Sequence, residues 1–429
     1  MKLIIPKSRY GGPLRWYGRL LWQMAKALRL VYPVRIEGAE RLPRTGPAVV
    51  ISAHMSFSDA FPFLYITLPR PPRFIGTAFF LLANAPVSWL MFIGGAIPIS
   101  KHVPDTQAGR RILRLLAAGE LISLFPEGER SWAGAPLDPI LPSMKFLARL
   151  KVPIFVAEIE GSYDHWPRWD KKPKRRPITV RLSGPIELPG PAEARRTAER
   201  RSRWWDAVYR SGGKLDEAAA HSALAALLRG ATCGEAGQLD LLRPGRVQQL
   251  AQLICYCPEC ARPDPVATAQ RLACRDCNAA WVPGPGGVLR REGAPREESA
   301  QLLTDVFLRM LETLDQRAAR LLPLEVSVTV LNHGSRPGIA GCVVLNRDGA
   351  RITAGAAAWD TDLANVADGE LSGMTVIQFN ARNGEPLSLR CEGSALRLVL
   401  AARALMGRSW GRFVSTPPLP LRDRKAARA

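Results

Sequence analysis

Acidic residues are the scarce class in this 429-residue chain: Asp and Glu total 38 against 59 Lys and Arg, for a formal net charge of +21 and a pI near 10.3. That excess points to an anionic partner, whether nucleic acid, a membrane surface or a phosphorylated substrate. Cysteine numbers only 8, too few for a disulfide scaffold at this length. Four of them fall into two Cys-x-x-Cys pairs, which suits a reducing compartment and a metal. Long uncharged runs are almost missing. The N-terminal Met1–Lys7 carries too short an apolar run for a signal peptide and has no small-residue cleavage site after it, so the chain is expected to stay in the cytosol. The one long uncharged stretch, Phe74 to Ser100, is interrupted by Asn84, Pro86, Gly94-Gly95 and Pro98, and reads as a buried helix, a turn and a buried strand rather than a membrane span. No internal repeat is present. With 47% hydrophobic and 23% charged residues, the disordered, collagen-like and coiled-coil readings fail together.

What is there is a chain too long for one hydrophobic core, so two to four domains are expected. Short apolar runs at Ala48–Ser52, Ile97–Ser100, Leu121–Phe125 and Val152–Ala157 read as buried strands, with helical stretches such as Asp105 to Gly119 between them. A Pro-rich basic stretch, Trp166 to Arg176, precedes a last strand at Ile178–Leu182. This alternation gives an α/β domain over 33–210, preceded by a basic amphipathic helix over 1–32 and followed by a helical, Ala-rich connector over 211–250. A cysteine module over 251–288 ends at the Pro283–Gly287 linker. Residues 295–415 combine a helix from Glu297 to Leu321, alternating segments such as Leu324–Val330 and Met374–Phe379, and a closing helix from Ser394 to Met406, as in a small α+β domain.

Chemistry concentrates after the strands. His54 leaves the Val49–Ile51 strand with Asp59 five residues on, the spacing of a base and its orienter: one ring nitrogen donates to the carboxylate while the other takes a proton from a hydroxyl. A turn or cap would use the same two residues. Phe125-Pro126-Glu127-Gly128-Glu129-Arg130 leaves another strand, where Gly128 lets a ligand approach the backbone, and Glu127 with Arg130 offers an acceptor and a guanidinium fork to a polyol phosphate. Gly94 to Lys101 places a cation after a third strand, and Val152-Pro153-Ile154 opens a fourth.

In this order and spacing, over roughly residues 30 to 190, these blocks and the lead-in Val34–Pro43 resemble the glycerophospholipid acyltransferase family typified by 1-acylglycerol-3-phosphate acyltransferases. The resemblance implies transfer of a fatty acyl group from a thioester, acyl-CoA or acyl carrier protein, to a lysophospholipid hydroxyl. It also implies that His54 is the base, that Asp59 holds its imidazole, and that Lys101, Glu127, Gly128 and Arg130 bind the acceptor's glycerol phosphate. Ala53, Glu129 and Lys101 stand where the family usually has Asn, Thr and Arg, so the acceptor's identity is left open.

Two further signals complete the reading. On a helical wheel of about 100° per residue, Arg15, Arg19, Lys26 and Arg29 share one face while Trp16, Leu20, Leu21, Met24 and Leu28 gather on another, which suits a helix docking peripherally on an anionic membrane surface at its cytoplasmic face. Lys171, Lys172, Lys174, Arg175 and Arg176 would add attraction to headgroups or to the donor's phosphates. Cys257-x-x-Cys260, thirteen residues, and Cys274-x-x-Cys277 match a four-cysteine zinc ribbon with a structural Zn²⁺ and Trp281 packed beside it. Residues 295–415 weakly resemble a pleckstrin-homology or GRAM-like domain. A nucleic-acid-binding zinc-ribbon protein and a noncatalytic lipid-binding scaffold are the alternatives; the chain has no aromatic-basic RNA signature, which argues against nucleic acid.

Overall fold

In a computed structural model, the described residues are 33–77 except 69, 95–99, 105–186 except 141, 142, 144, 145, 148 and 149, 239–295 except 244 and 269, 300–331, 338–408 except 373, and positions 23, 410 and 413. The basic amphipathic helix over 1–32 (Gln23 aside), most of the connector, and Lys101 lie outside them. The chain divides into two compact units: Met1–Arg130 with Pro136–His165 and Arg175–Cys233, and Ser131–Ala135 with Trp166–Lys174 and Gly234–Ala429.

The first unit is built on a seven-stranded sheet of β1 (Val34–Glu37), β2 (Ala48–Ile51), β3 (Arg73–Thr77), β4 (Ile97–Ile99), β5 (Leu121–Leu124), β6 (Ile154–Glu160) and β7 (Ile178–Ile186), in the order β1-β7-β6-β2-β5-β3-β4. From β6 to β4 every pairing is parallel, while β7 runs antiparallel to β6 and carries β1 with it. The two central strands are buried at every position, as parallel strands covered on both faces must be. Alternate residues of β2 enter opposite cores. Val49 and Ile51 meet Ile112, Leu115 and Leu116 of helix Thr106–Ala117, whereas Ala48 and Val50 meet Phe63 and Ile66 of helix Ala60–Thr67. The Asp105 carboxylate caps the longer helix by accepting from the Ala108 N–H at 2.9 Å.

One expectation is corrected here. The uncharged stretch that begins at Phe74 opens as strand β3, not as a helix. Pro71 and Pro72 set extended backbone just before it, and β5 and β4 offer parallel partners on both sides. Among the described residues, no helix is long and apolar enough to cross a membrane.

The second unit carries two antiparallel sheets. The first contains β8 (Val266–Ala267), β9 (Leu272–Ala273), β10 (Ala280–Pro283), β11 (Val288–Arg291) and β12 (Ala300–Leu302), paired in sequence order. The helix expected from Glu297 begins only at Leu303 and runs to Arg317, because Ala300–Leu302 extends this sheet by pairing with β11. The second holds β13 (Leu324–Val330), β14 (Ile339–Asn346), β15 (Gly349–Ala354), β16 (Ala357–Thr361), β17 (Glu370–Ser372), β18 (Val376–Asn380) and β19 (Pro386–Cys391), ordered β16-β15-β14-β13-β19-β18-β17. In β13 the residues Leu324, Val326, Val328 and Val330 face inward and Glu325 and Ser327 outward, the period of two that the sequence shows. Helix Leu396–Leu405 closes the unit and is buried from Leu396 to Ala404.

Candidate active site

β2 and β5 are parallel neighbours in the register Ile51 to Leu124. His54 lies three residues past Ile51 and Glu127 three residues past Leu124, so the two loops leave the sheet side by side at one edge. The His54 backbone N–H donates to Glu127 Oε2 at 3.3 Å. Crevices beyond the carboxyl ends of parallel strands are where α/β sheets place their ligands.

Asp59 is fully buried and takes four hydrogen bonds. Oδ2 accepts from His54 Nδ1 and from the backbone N–H groups of Met55 and Ser56, each at 2.8 Å, and Oδ1 accepts from Ser162 Oγ at 2.6 Å. A capping box makes the turn: Ser56 Oγ accepts from the Ser58 N–H at 3.2 Å while the Asp59 side chain takes the Ser56 N–H. A carboxylate so enclosed needs those donors, since water is not available to it. Because Oδ2 already accepts from two backbone N–H groups, its matching partner is a protonated His54 Nδ1, the tautomer that leaves Nε2 on the ring edge away from the carboxylate. The imidazole stacks on Phe125 with centroids 3.9 Å apart and planes 14° from parallel, and Phe63 meets Phe125 edge-on at 5.3 Å. The ring is thus held by a carboxylate at one edge and an aromatic plane on one face, with 22% of the side chain exposed.

The other expected residues fall around this pair. Glu127 is 1% exposed, and burial pushes its carboxyl well above the usual carboxylate range against the pull of the His54 N–H. Gly128 has φ +68°, a backbone conformation that favours glycine, and a Cβ there would press on Ile140 Cδ1 at 3.1 Å. The Arg130 guanidinium lies 5.5 Å from the centre of the Phe57 ring, which belongs to the His54–Asp59 turn. Phe57, Phe125 and Ser162 were not singled out from the sequence. Phe125 opens the quoted Phe-Pro-Glu-Gly motif and Phe57 lies between His54 and Asp59, whereas Ser162 is 103 residues from Asp59 with no local pattern to mark it. Of the basic cluster, Lys171, Lys172 and Arg175 are exposed, but Arg176 pairs with Asp164, and Lys174 lies 3.9 Å from Asp170.

Within the second unit, the Sγ atoms of Cys257, Cys260, Cys274 and Cys277 all lie within 4.8 Å of one another, and the pairs 257–277 and 260–274 are 3.6 Å apart. Four thiolates about 2.3 Å from one tetrahedral ion would be separated by about 3.8 Å, so this set fits a metal such as zinc. Each Cys-x-x-Cys turn closes on a residue of positive φ, Ala261 at 60° and Asn278 at 58°. Burial raises the Cys257 and Cys260 thiols above their usual range, so a bound cation must displace protons. Cys255 is buried outside the set, and Trp281 is buried in β10. Helix Leu303–Arg317 grips the first turn: Arg309 Nη2 meets Glu259 Oε2 at 3.0 Å, and Thr313 Oγ1 donates to the Pro258 carbonyl at 2.7 Å.

With that geometry in hand, residues 33–158 match the family model described as Acyltransferase. These residues are an acyltransferase domain. The matched span contains His54, Asp59, Glu127, Gly128 and Arg130, and the rest of the chain lies outside it. The crystal structure of the 1-acyl-sn-glycerophosphate (LPA) acyltransferase PlsC from Thermotoga maritima is similar at 22% identity, over 43% of this chain and 76% of that one, with a TM-score of 0.36. No curated protein matches the chain. Nothing in these comparisons supports the pleckstrin-homology or GRAM-like reading of residues 295–415.

Proposed function

We propose that the acyltransferase domain moves a fatty acyl group from a thioester, acyl-CoA or acyl carrier protein, to the hydroxyl of a lysophospholipid at an anionic membrane surface. The observation that carries this reading is the His54–Asp59 pair, 2.8 Å apart at the sheet edge of a domain matched as an acyltransferase. His54 Nε2 takes the hydroxyl proton as the oxygen attacks the thioester carbonyl; the new C–O bond forms, the C–S bond breaks, and the proton passes on to the departing thiolate. Asp59 fixes the tautomer and balances the imidazolium charge. Arg130 and Lys101 hold the acceptor's phosphate, and Glu127 and Gly128 shape the loop beneath it. The four cysteines hold zinc as a structural ion, since a closed set of four thiolates leaves no position for substrate.

Purified chain is incubated with a labelled acyl thioester and a panel of lysophospholipids on anionic vesicles. Label appearing in a diacyl product supports the proposal. Loss of label only to water, or no turnover with any acceptor and either donor, refutes it.

A further inference from the structure

We propose that Ser162 is a positioning residue of the catalytic pair, acting through Asp59 and never touching substrate. The inference rests on the reading of His54 as the base and deepens it. Three of the donors on Asp59, namely His54 Nδ1 and the N–H groups of Met55 and Ser56, come from the same short turn as Asp59 and all bind Oδ2. Bonds inside one turn hold that turn together, and the His54 N–H and ring reach Glu127 and Phe125 of the loop after β5, but none of these contacts ties the Asp59 carboxylate itself to another element. Among the described residues, the donor to Oδ1 is Ser162 Oγ, at 2.6 Å, and it comes from the turn that follows another strand, at the start of the short helix Ser162–His165.

The fold builds this contact deliberately into a third loop. β6 flanks β2 on the side opposite β5, in the register Ile51 to Val156, and runs on to Glu160. Gly161 then turns the chain with φ +86°, where a Cβ would lie 2.4 Å from the Pro177 carbonyl oxygen, a contact no other residue can make without moving the backbone. The turn delivers Ser162, itself fully buried, onto the free oxygen of a fully buried carboxylate. A short bond from a hydroxyl to an anion is of the stronger, charge-assisted kind. It fixes the plane of the carboxylate, and the carboxylate fixes the imidazole, whose Nε2 must aim at a hydroxyl within hydrogen-bond reach. Loss of this bond should therefore slow the chemical step while leaving both substrates' binding unchanged.

The test compares wild type, Ser162→Ala, Ser162→Thr and His54→Ala of the full chain by steady-state kinetics, with donor and acceptor varied separately. The low-field NMR signal of the His54 Nδ1 proton is recorded for the first three. Ser162→Ala is expected to lower kcat roughly tenfold with both KM values within about twofold, and to shift the Nδ1 signal or broaden it by exchange with water. Ser162→Thr, which keeps the hydroxyl, restores most of both. Folded Ser162→Ala with the wild-type kcat and an unshifted signal overturns the inference. If in that case His54→Ala still abolishes transfer, the base assignment stands and Ser162 alone has failed. If His54→Ala retains full transfer, the base assignment has failed, and the NMR comparison by itself decides whether Ser162 sets the geometry of the pair.

Discussion

The four-cysteine cluster and the His54–Asp59 site each gather a handful of polar groups into one place, but from very different distances along the chain. Each half of the cysteine set is a tight turn of four residues, and the two halves are separated by only thirteen residues. The candidate active site instead draws on three loops, after β2, β5 and β6, that span residues 54 to 162. Local turns can specify a metal cage because ligand spacing along the chain already limits where the sulfurs lie. A site assembled by parallel strand register depends on the whole sheet, and its precision comes from the register. The two sites should therefore fail differently.

The largest effect is expected at the dyad. His54→Ala should lower kcat by about 10²- to 10⁴-fold, with Asp59→Asn close behind because an amide cannot accept from all the donors that surround it. Circular dichroism should report an intact fold for His54→Ala, and steady-state kinetics the loss. A folded His54→Ala protein with wild-type rates would falsify the assignment.

Next in size is the cluster. Elemental analysis of protein purified without chelator should find one zinc per chain, and Cys274→Ser should lose it and lower the melting temperature of the second unit. The comparison sharpens if a fragment-resolved method such as hydrogen exchange shows the loss of protection confined to residues of that unit. Exchange that rises equally around His54 would mean that the two sites do not fail independently.

Glu127 gives a smaller, pH-dependent effect. Its carboxyl is raised in the folded state by burial, so the stability it lends is complete below the ordinary carboxylate pKa and drains away as pH rises through the raised value. Glu127→Gln should therefore flatten the melting temperature of the first unit against pH in the range above about 4.5, where wild type declines. Parallel curves for the two proteins would show that Glu127 titrates as an exposed carboxylate does.

The smallest expected effect is at Ala261, which adopts φ 60° at the end of the first cysteine turn. Glycine takes that conformation without the Cβ penalty, so Ala261→Gly should stabilise the second unit by about 1 kcal/mol, offset in part by the freer unfolded chain. Asn278→Gly, in the matching position of the second turn, should gain less because asparagine tolerates the left-handed region better. Chemical denaturation of the zinc-loaded protein measures both.

Much was legible from residues close in sequence. The buried runs at Ala48–Ile51 and Leu121–Leu124 are apolar at every position and became the central strands. His54 and Asp59 are bonded as their spacing suggests, and the four cysteines converge. Misreadings arose where an apolar pattern fits two structures. Phe74–Thr77 can be helix or strand until the open edge of β5 decides, and Ala300–Leu302 continues a helical pattern that the β11 edge captures instead.

By itself, then, the amino-acid sequence determined which segments bury, the pairing of His54 with Asp59, and the composition of the cysteine cage, because each depends on periodicity or on a turn of a few residues. Only the tertiary structure decided that Glu127 lies buried under the His54 backbone, that Phe125 forms the floor of the imidazole, and that Ser162 meets the far oxygen of Asp59. Those contacts join strands whose order in the sheet differs from their order in the chain. Strand register and crossover, both set by the burial of two cores at once, brought them together.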